Sequence, residues 1–166
     1  MAAFRGLRNH EKMQTKKLTP AQALANARNY CSYQERSHNE VKEKLFGFGL
    51  TTNEVENIVA ELISDDFLNE ERFARAFARG KFNLKGWGKV KIRYELKQRR
   101  VSDYCIRKGL TEIDDEEYGK KIKKLFEEKL RQLKSEKNAF IRKRKLMDHL
   151  LQKGYERDLI QNLLKE

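Results

Sequence analysis

Fifteen positions of this chain repeat one pattern three times, and that repetition limits the fold more than any other feature. Apolar residues stand at Val41, Leu45, Leu50, Val55 and Val59. The same five recur 51 residues later, at Ile92, Leu96, Val101, Ile106 and Leu110. They recur again after a further 54 residues, at Leu146, Leu150, Tyr155, Ile160 and Leu164. Only 39% of the chain is hydrophobic, so chance explains this agreement poorly. Within each unit the first two positions form an i, i+4 pair, and the last three are spaced five and then four apart. That spacing predicts helix, short turn, helix, each helix with one apolar face. Gly49 and Gly154 stand just before the turn, where a left-handed residue ends a helix at little cost. Arg100 holds that place in the middle unit, where the same conformation costs on the order of 1 kcal/mol.

A further helix precedes each pair. The first, over residues 20–32, is alanine-rich, with Ala23 and Ala27; the second, over 69–81, presents Phe73, Phe77, Ala74 and Ala78. The third, over 115–134, presents Tyr118, Ile122, Leu125, Phe126, Leu130 and Leu133. Thr19 with Gln22, Ser37 with Glu40, Thr51 with Glu54 and Asp114 with Glu117 have capping-box spacing, and Pro20 suits a first helical position. A unit of about 45 to 50 residues buries too little surface to stand comfortably alone. Stacking of neighbours is therefore expected. The fold class read from this is all-α: three tandem three-helix repeats stacked into an elongated, curved array. The expected division is a loose basic arm at 1–17 and repeats at 18–64, 65–113 and 114–166. Linkers are expected at 64–68 and 109–114, and a loop at 135–138.

The charge balance is strongly positive, with 37 Lys and Arg against 25 Asp and Glu. Such a balance implies an acidic partner, whether nucleic acid, an acidic protein face or an anionic membrane, the alternative being that the lysines only keep the chain soluble. No run approaches the roughly 18 apolar residues of a membrane span. The segment "MAAFRGLRNH" lacks the apolar region of a signal peptide, so a cytoplasmic protein is expected; the elongated array is expected to be a monomer. Cys31 and Cys105 lie far apart among apolar neighbours and read as small core residues rather than a disulfide or metal pair. Neither a Gly-rich phosphate loop nor a metal-ligand spacing among His10, His38 and His149 is present, so no enzyme, metal or cofactor is expected.

Charge is also unevenly placed. Ten basic residues face two acidic ones between Lys81 and Gly109, whereas Glu54 to Arg72 carries seven acidic residues and one basic. On a helical wheel Lys89, Arg93, Lys97 and Arg100 fall within roughly an 80° arc beside the Ile92 and Leu96 stripe. A binding face is expected there, joined by Lys85 and by Arg75 and Arg79 on the preceding helix. For the arginines the alternative is pairing with Glu71 or with the acids of 54–66. Trp87, between two glycines, either stacks on a base or anchors in a partner pocket, or it covers the end of the core while the glycines let the chain turn.

The chain resembles the bacterial RecX family of recombinase regulators. The resemblance rests on Arg36, Ser37, Glu40 and Leu45 after the alanine-rich helix. It rests also on Phe67, Leu68, Asn69, Arg72, Phe73 and Ala74, followed by Gly86, Gly88, Ile92, Glu95 and Leu96. "LLQKGYERDLI" matches more weakly, and Glu70 and Arg100 stand where the family usually has aspartate and glycine. The resemblance implies binding to the RecA recombinase in the groove of its filament on DNA. It implies restraint of filament growth and strand exchange, and a place in homologous recombination, DNA repair and the SOS response. Weak, non-specific DNA contact is compatible with it. The competing reading is a stand-alone helical DNA-binding module acting through its basic face.

Overall fold

The computed structural model describes residues 17–165 and contains nine α-helices and no strand among them. The basic arm expected over residues 1–17 lies outside the described residues, apart from Lys17. Unit 1 comprises α1 (Pro20–Tyr33), α2 (His38–Gly47) and α3 (Thr52–Ser64). Unit 2 comprises α4 (Glu70–Lys85), α5 (Lys89–Gln98) and α6 (Asp103–Leu110), and unit 3 comprises α7 (Asp115–Gln132), α8 (Ala139–Lys153) and α9 (Arg157–Leu163).

Fourteen of the fifteen repeated positions are buried, and Leu164 is half-buried. Gly49, Arg100 and Gly154 all take positive φ, at 79°, 57° and 91°, so the middle turn keeps its left-handed residue without a glycine. Thr19, Ser37 and Thr51 each close a reciprocal capping box. At Asp114 only half the box forms: its side chain accepts from the Glu117 amide, while the Glu117 carboxylate pairs with Lys120 instead.

Two cores organise the helices. Unit 1 keeps its own, built on Val41, Leu45, Val55 and Leu62 with the small Ala23 and Ala27. Units 2 and 3 share the other, in which Phe82, Ile92 and Leu96 continue into Tyr118, Ile122, Leu150 and Tyr155. Cys31 and Cys105 are buried free thiols, one in each core. The expected linker at 109–114 begins later, because Gly109 is the penultimate residue of α6. It packs so closely that a Cβ there would lie 2.7 Å from the Ala74 carbonyl oxygen. Among the described residues no helix is long and apolar enough to cross a membrane, and no group of three or more His, Cys, Asp or Glu is placed to hold a metal.

The joint between units 2 and 3 explains the Gly-Trp-Gly break. Gly86 takes the left-handed conformation that ends α4, and its carbonyl accepts from the buried Tyr155 hydroxyl at 3.0 Å. Gly88 is the N-cap of α5, 51 residues after the N-cap Ser37, and has no side chain with which to cap. Unit 3 satisfies those first amides. Gly88 N–H donates to the Lys153 carbonyl at 2.8 Å, Lys89 N–H to the Tyr118 hydroxyl at 2.9 Å, and Val90 N–H to the Gly154 carbonyl at 3.0 Å. The Tyr118 hydroxyl in turn donates to Glu156 at 2.7 Å, and burial, helped by that bond, pushes its pKa far above the ordinary tyrosine value. Units 1 and 2 meet more lightly. There Arg72 is shared between Glu35 of the α1–α2 loop and Asp66 of the α3–α4 turn.

Candidate interface: the basic face of unit 2

The residues predicted to form one basic face separate into three groups. Arg75 bonds to Glu112 at 2.7 Å and Glu71 at 2.8 Å, and these bonds, Glu112 first, raise its pKa further. Arg79 reaches the same Glu112 at 3.3 Å. Both guanidinium groups thus tie α4 to the residues that follow α6. Lys89 lies over the Tyr118 ring at 4.8 Å and pairs with Asp115 at 2.7 Å, holding that carboxyl below its ordinary range. It belongs to the joint with unit 3. On the helical wheel Lys89 lies at the end of the arc nearest the Ile92 and Leu96 stripe, which is why it is half-covered while Arg93 and Lys97 are exposed.

Arg93, Lys97 and Arg100 are exposed, as is Lys85 at the end of α4. Lys97 makes one long contact, 3.4 Å to Asp103. The arc assumed helix as far as Arg100, but α5 ends at Gln98. Arg100 therefore projects from the left-handed turn.

Trp87 is half-buried, its indole between Lys81 at 4.9 Å and Lys91 at 4.6 Å. Phe77 meets it edge-on at 6.5 Å, and Lys81 and Arg99 lie 5.3 Å and 4.8 Å from the Phe77 ring. Three cations thus alternate with two rings, Lys81 serving both, each contact worth about 0.5–1 kcal/mol at partly exposed sites. The rings hold the ammonium groups in place without neutralising them. This row borders a cleft of about 330 Å³ between units 1 and 2, lined by Phe73, Phe77, Lys81, Arg99 and the two acids Glu35 and Glu40. Both acids are occupied, Glu35 by Arg72 and Glu40 by the Ser37 cap.

Sequence reasoning missed Tyr94 and Tyr104, exposed at 60% and 55%, the first next to Arg93 in the chain and the second with Lys108 5.6 Å from its ring. A signal was available. Tyr94 lies opposite the Ile92 and Leu96 stripe on the helical wheel, where an aromatic side chain has no core to enter. Lys81 and Lys91 were missed because their role depends on the Trp87 position.

The described residues thus form an all-helical repeat that presents an exposed cationic face on α5 and its turn. Comparison with known proteins makes this specific. Residues 69–110 match the family model described as RecX, second three-helix domain, and residues 115–164 match RecX, third three-helix domain. A protein named Regulatory protein RecX from Prosthecochloris aestuarii is 30% identical over 144 residues, 87% of this chain and 92% of that protein. The protein of the same name from Bacillus cytotoxicus is 32% identical over 145 residues, 87% of this chain but 53% of that protein. The chain thus spans about half the length of the Bacillus relatives it matches. The crystal structure of RecX from Lactobacillus salivarius superposes with a TM-score of 0.78 at 25% identity, covering 88% of this chain and 94% of that one. The chain belongs to the RecX family of regulatory proteins.

Proposed function

We propose that this chain binds the RecA recombinase and the filament that RecA forms on DNA, and restrains filament growth and strand exchange. It does so in the cytoplasm, as a monomer and without turnover, metal or cofactor. The observation that carries the reading is the outward face of α5 and its turn: Arg93, Lys97 and Arg100, with Lys85 and the Lys81–Trp87–Lys91 stack alongside. Family membership supports the choice of partner. On this reading Arg75, Arg79 and Lys89 support the fold behind the contact surface.

A filament repeats its protomer, so contacts by successive units form at high effective concentration. Binding to the assembled filament should exceed binding to free recombinase by more than tenfold, about 1.4 kcal/mol. The test is the double change Arg93→Glu, Lys97→Glu. Helix content is expected to persist while affinity for the filament falls. Unchanged affinity at moderate salt would show the face to be merely solvated. Tight, steeply salt-dependent binding to random duplex, unaffected by added recombinase, would favour the stand-alone DNA-binding module instead.

A further inference from the structure

Units 2 and 3 share one repeat pattern yet close differently. In unit 2 the third helix lies directly on the first, with Gly109 against Ala74 and the fully buried Ala78 one turn on. The residue 54 positions after Gly109 is Leu163, and Lys123 stands on α7 where Ala78 stands on α4, counting from the two helix starts. A leucine in place of Gly109 rules out so close an approach, and α9 does not lie on α7 as α6 lies on α4. An open groove of about 450 Å³ results, bordered by α7, α8 and α9.

The groove has an apolar floor of Phe126, Leu146 and Leu163, and Leu130 at its lining remains 39% exposed. Among the described residues its rim is cationic: Lys123, Arg142 and Lys143 line it with one acid, Glu127. Among the described residues the ion pairs of α8 are made by Arg144 and Lys145 instead, and Arg142 reaches the Glu136 carbonyl at 3.4 Å. From Lys123 to Leu130 the groove follows about two turns of α7, roughly 10 Å at 1.5 Å per residue.

We propose that this groove, a surface separate from the α5 face, docks an acidic amphipathic helix of a partner protein. Apolar side chains at i, i+3 or i+4, and i+7 would enter the floor, and flanking Asp or Glu would meet the three rim cations. Charge selects this occupant. Residues 1–17 of the chain itself carry five basic residues and one acidic, and the rim would repel them. The acidic α3 of a second copy has its apolar residues Val55, Ile58, Val59 and Leu62 already buried in unit 1.

The test uses the full chain and a fluorescein-labelled peptide of about four helical turns, with leucines at that spacing and glutamates beside them. Anisotropy is expected to show saturable one-to-one binding. Lys123→Glu with Lys143→Glu, and separately Leu130→Asp, should each weaken it by at least about tenfold. All three side chains are exposed, so helix content should not change. The proposal is overturned if the variants bind as the parent does, or if a scrambled peptide or its lysine counterpart binds equally well. It is overturned too if the chain dimerises in sedimentation and the charge reversal abolishes the dimer, since the groove would then hold a second copy.

Discussion

Gly88→Ala isolates the physical basis of the joint between units 2 and 3. Gly88 has φ −78° and ψ 165°, a conformation open to any residue, so alanine brings no backbone strain. Considered alone, the change would stabilise the chain by about 0.4–1 kcal/mol through the unfolded state. The contact reverses that. A Cβ at Gly88 would lie 2.2 Å from the Gly154 carbonyl oxygen and 2.6 Å from the Tyr155 nitrogen, both backbone atoms. Reaching the 3.0 Å that real Cβ contacts respect needs a retreat of about 0.8 Å along that line. The Gly88–Lys153 and Val90–Gly154 bonds, at 2.8 and 3.0 Å, would lengthen beyond useful range. The buried Tyr155–Gly86 bond would be strained with them. Three bonds at about 1 kcal/mol each, less the unfolded-state gain, leave a loss of about 2–3 kcal/mol. For a chain of this size that lowers Tm by roughly 5–10 °C. Circular dichroism gives the stability, and fluorescence of Trp87, the sole tryptophan, reports the joint itself. A Gly88→Ala protein within about 0.5 kcal/mol of the parent, with unchanged emission, would refute the reasoning.

Arg100→Gly should leave stability equal or raise it by up to about 1 kcal/mol, since φ 57° favours glycine and the unfolded-state cost partly cancels the gain; denaturant midpoints with unchanged slope would check this. His38 has a pKa lowered by burial, with Glu70 opposing and Lys42 reinforcing, and its buried Nε2 has no hydrogen-bond partner among the described residues. Its unfolded form therefore binds protons more readily, so its contribution is present above about pH 6.5 and lost as pH falls through the folded pKa. Tm of the parent should decline over that window and His38→Gln should flatten the decline; parallel profiles would remove His38 as the cause. Truncation at Glu116, which sequence periodicity alone would allow, should unfold unit 2, because Tyr118, Ile122, Leu150 and Tyr155 complete its core. Loss of near-UV signal from Trp87 with unit 1 still helical is the expected result, and a native-like Trp87 spectrum would contradict the shared core.

The sequence by itself determined the three-unit helical plan, because local chemistry specifies it. Apolar spacing sets which face is buried, Thr19, Ser37 and Thr51 start helices through their own side chains, and Gly49, Arg100 and Gly154 mark one recurring turn. Each of these signals acts within a few residues, so it survives as a pattern along the chain. The excess of positive charge near α5 was equally legible, since counting needs no geometry. Tertiary structure decided which charges stay available. Arg75 and Arg79 are engaged by Glu112, more than thirty residues away, and Lys89 by Asp115 and Tyr118 of the next unit. Whether a cation is free depends on which distant carboxylate folding brings within reach, and periodicity carries no record of that. The same limit hid the role of Gly88: its lack of a side chain reads as a turn, until the Gly154 backbone occupies the space where a Cβ would stand.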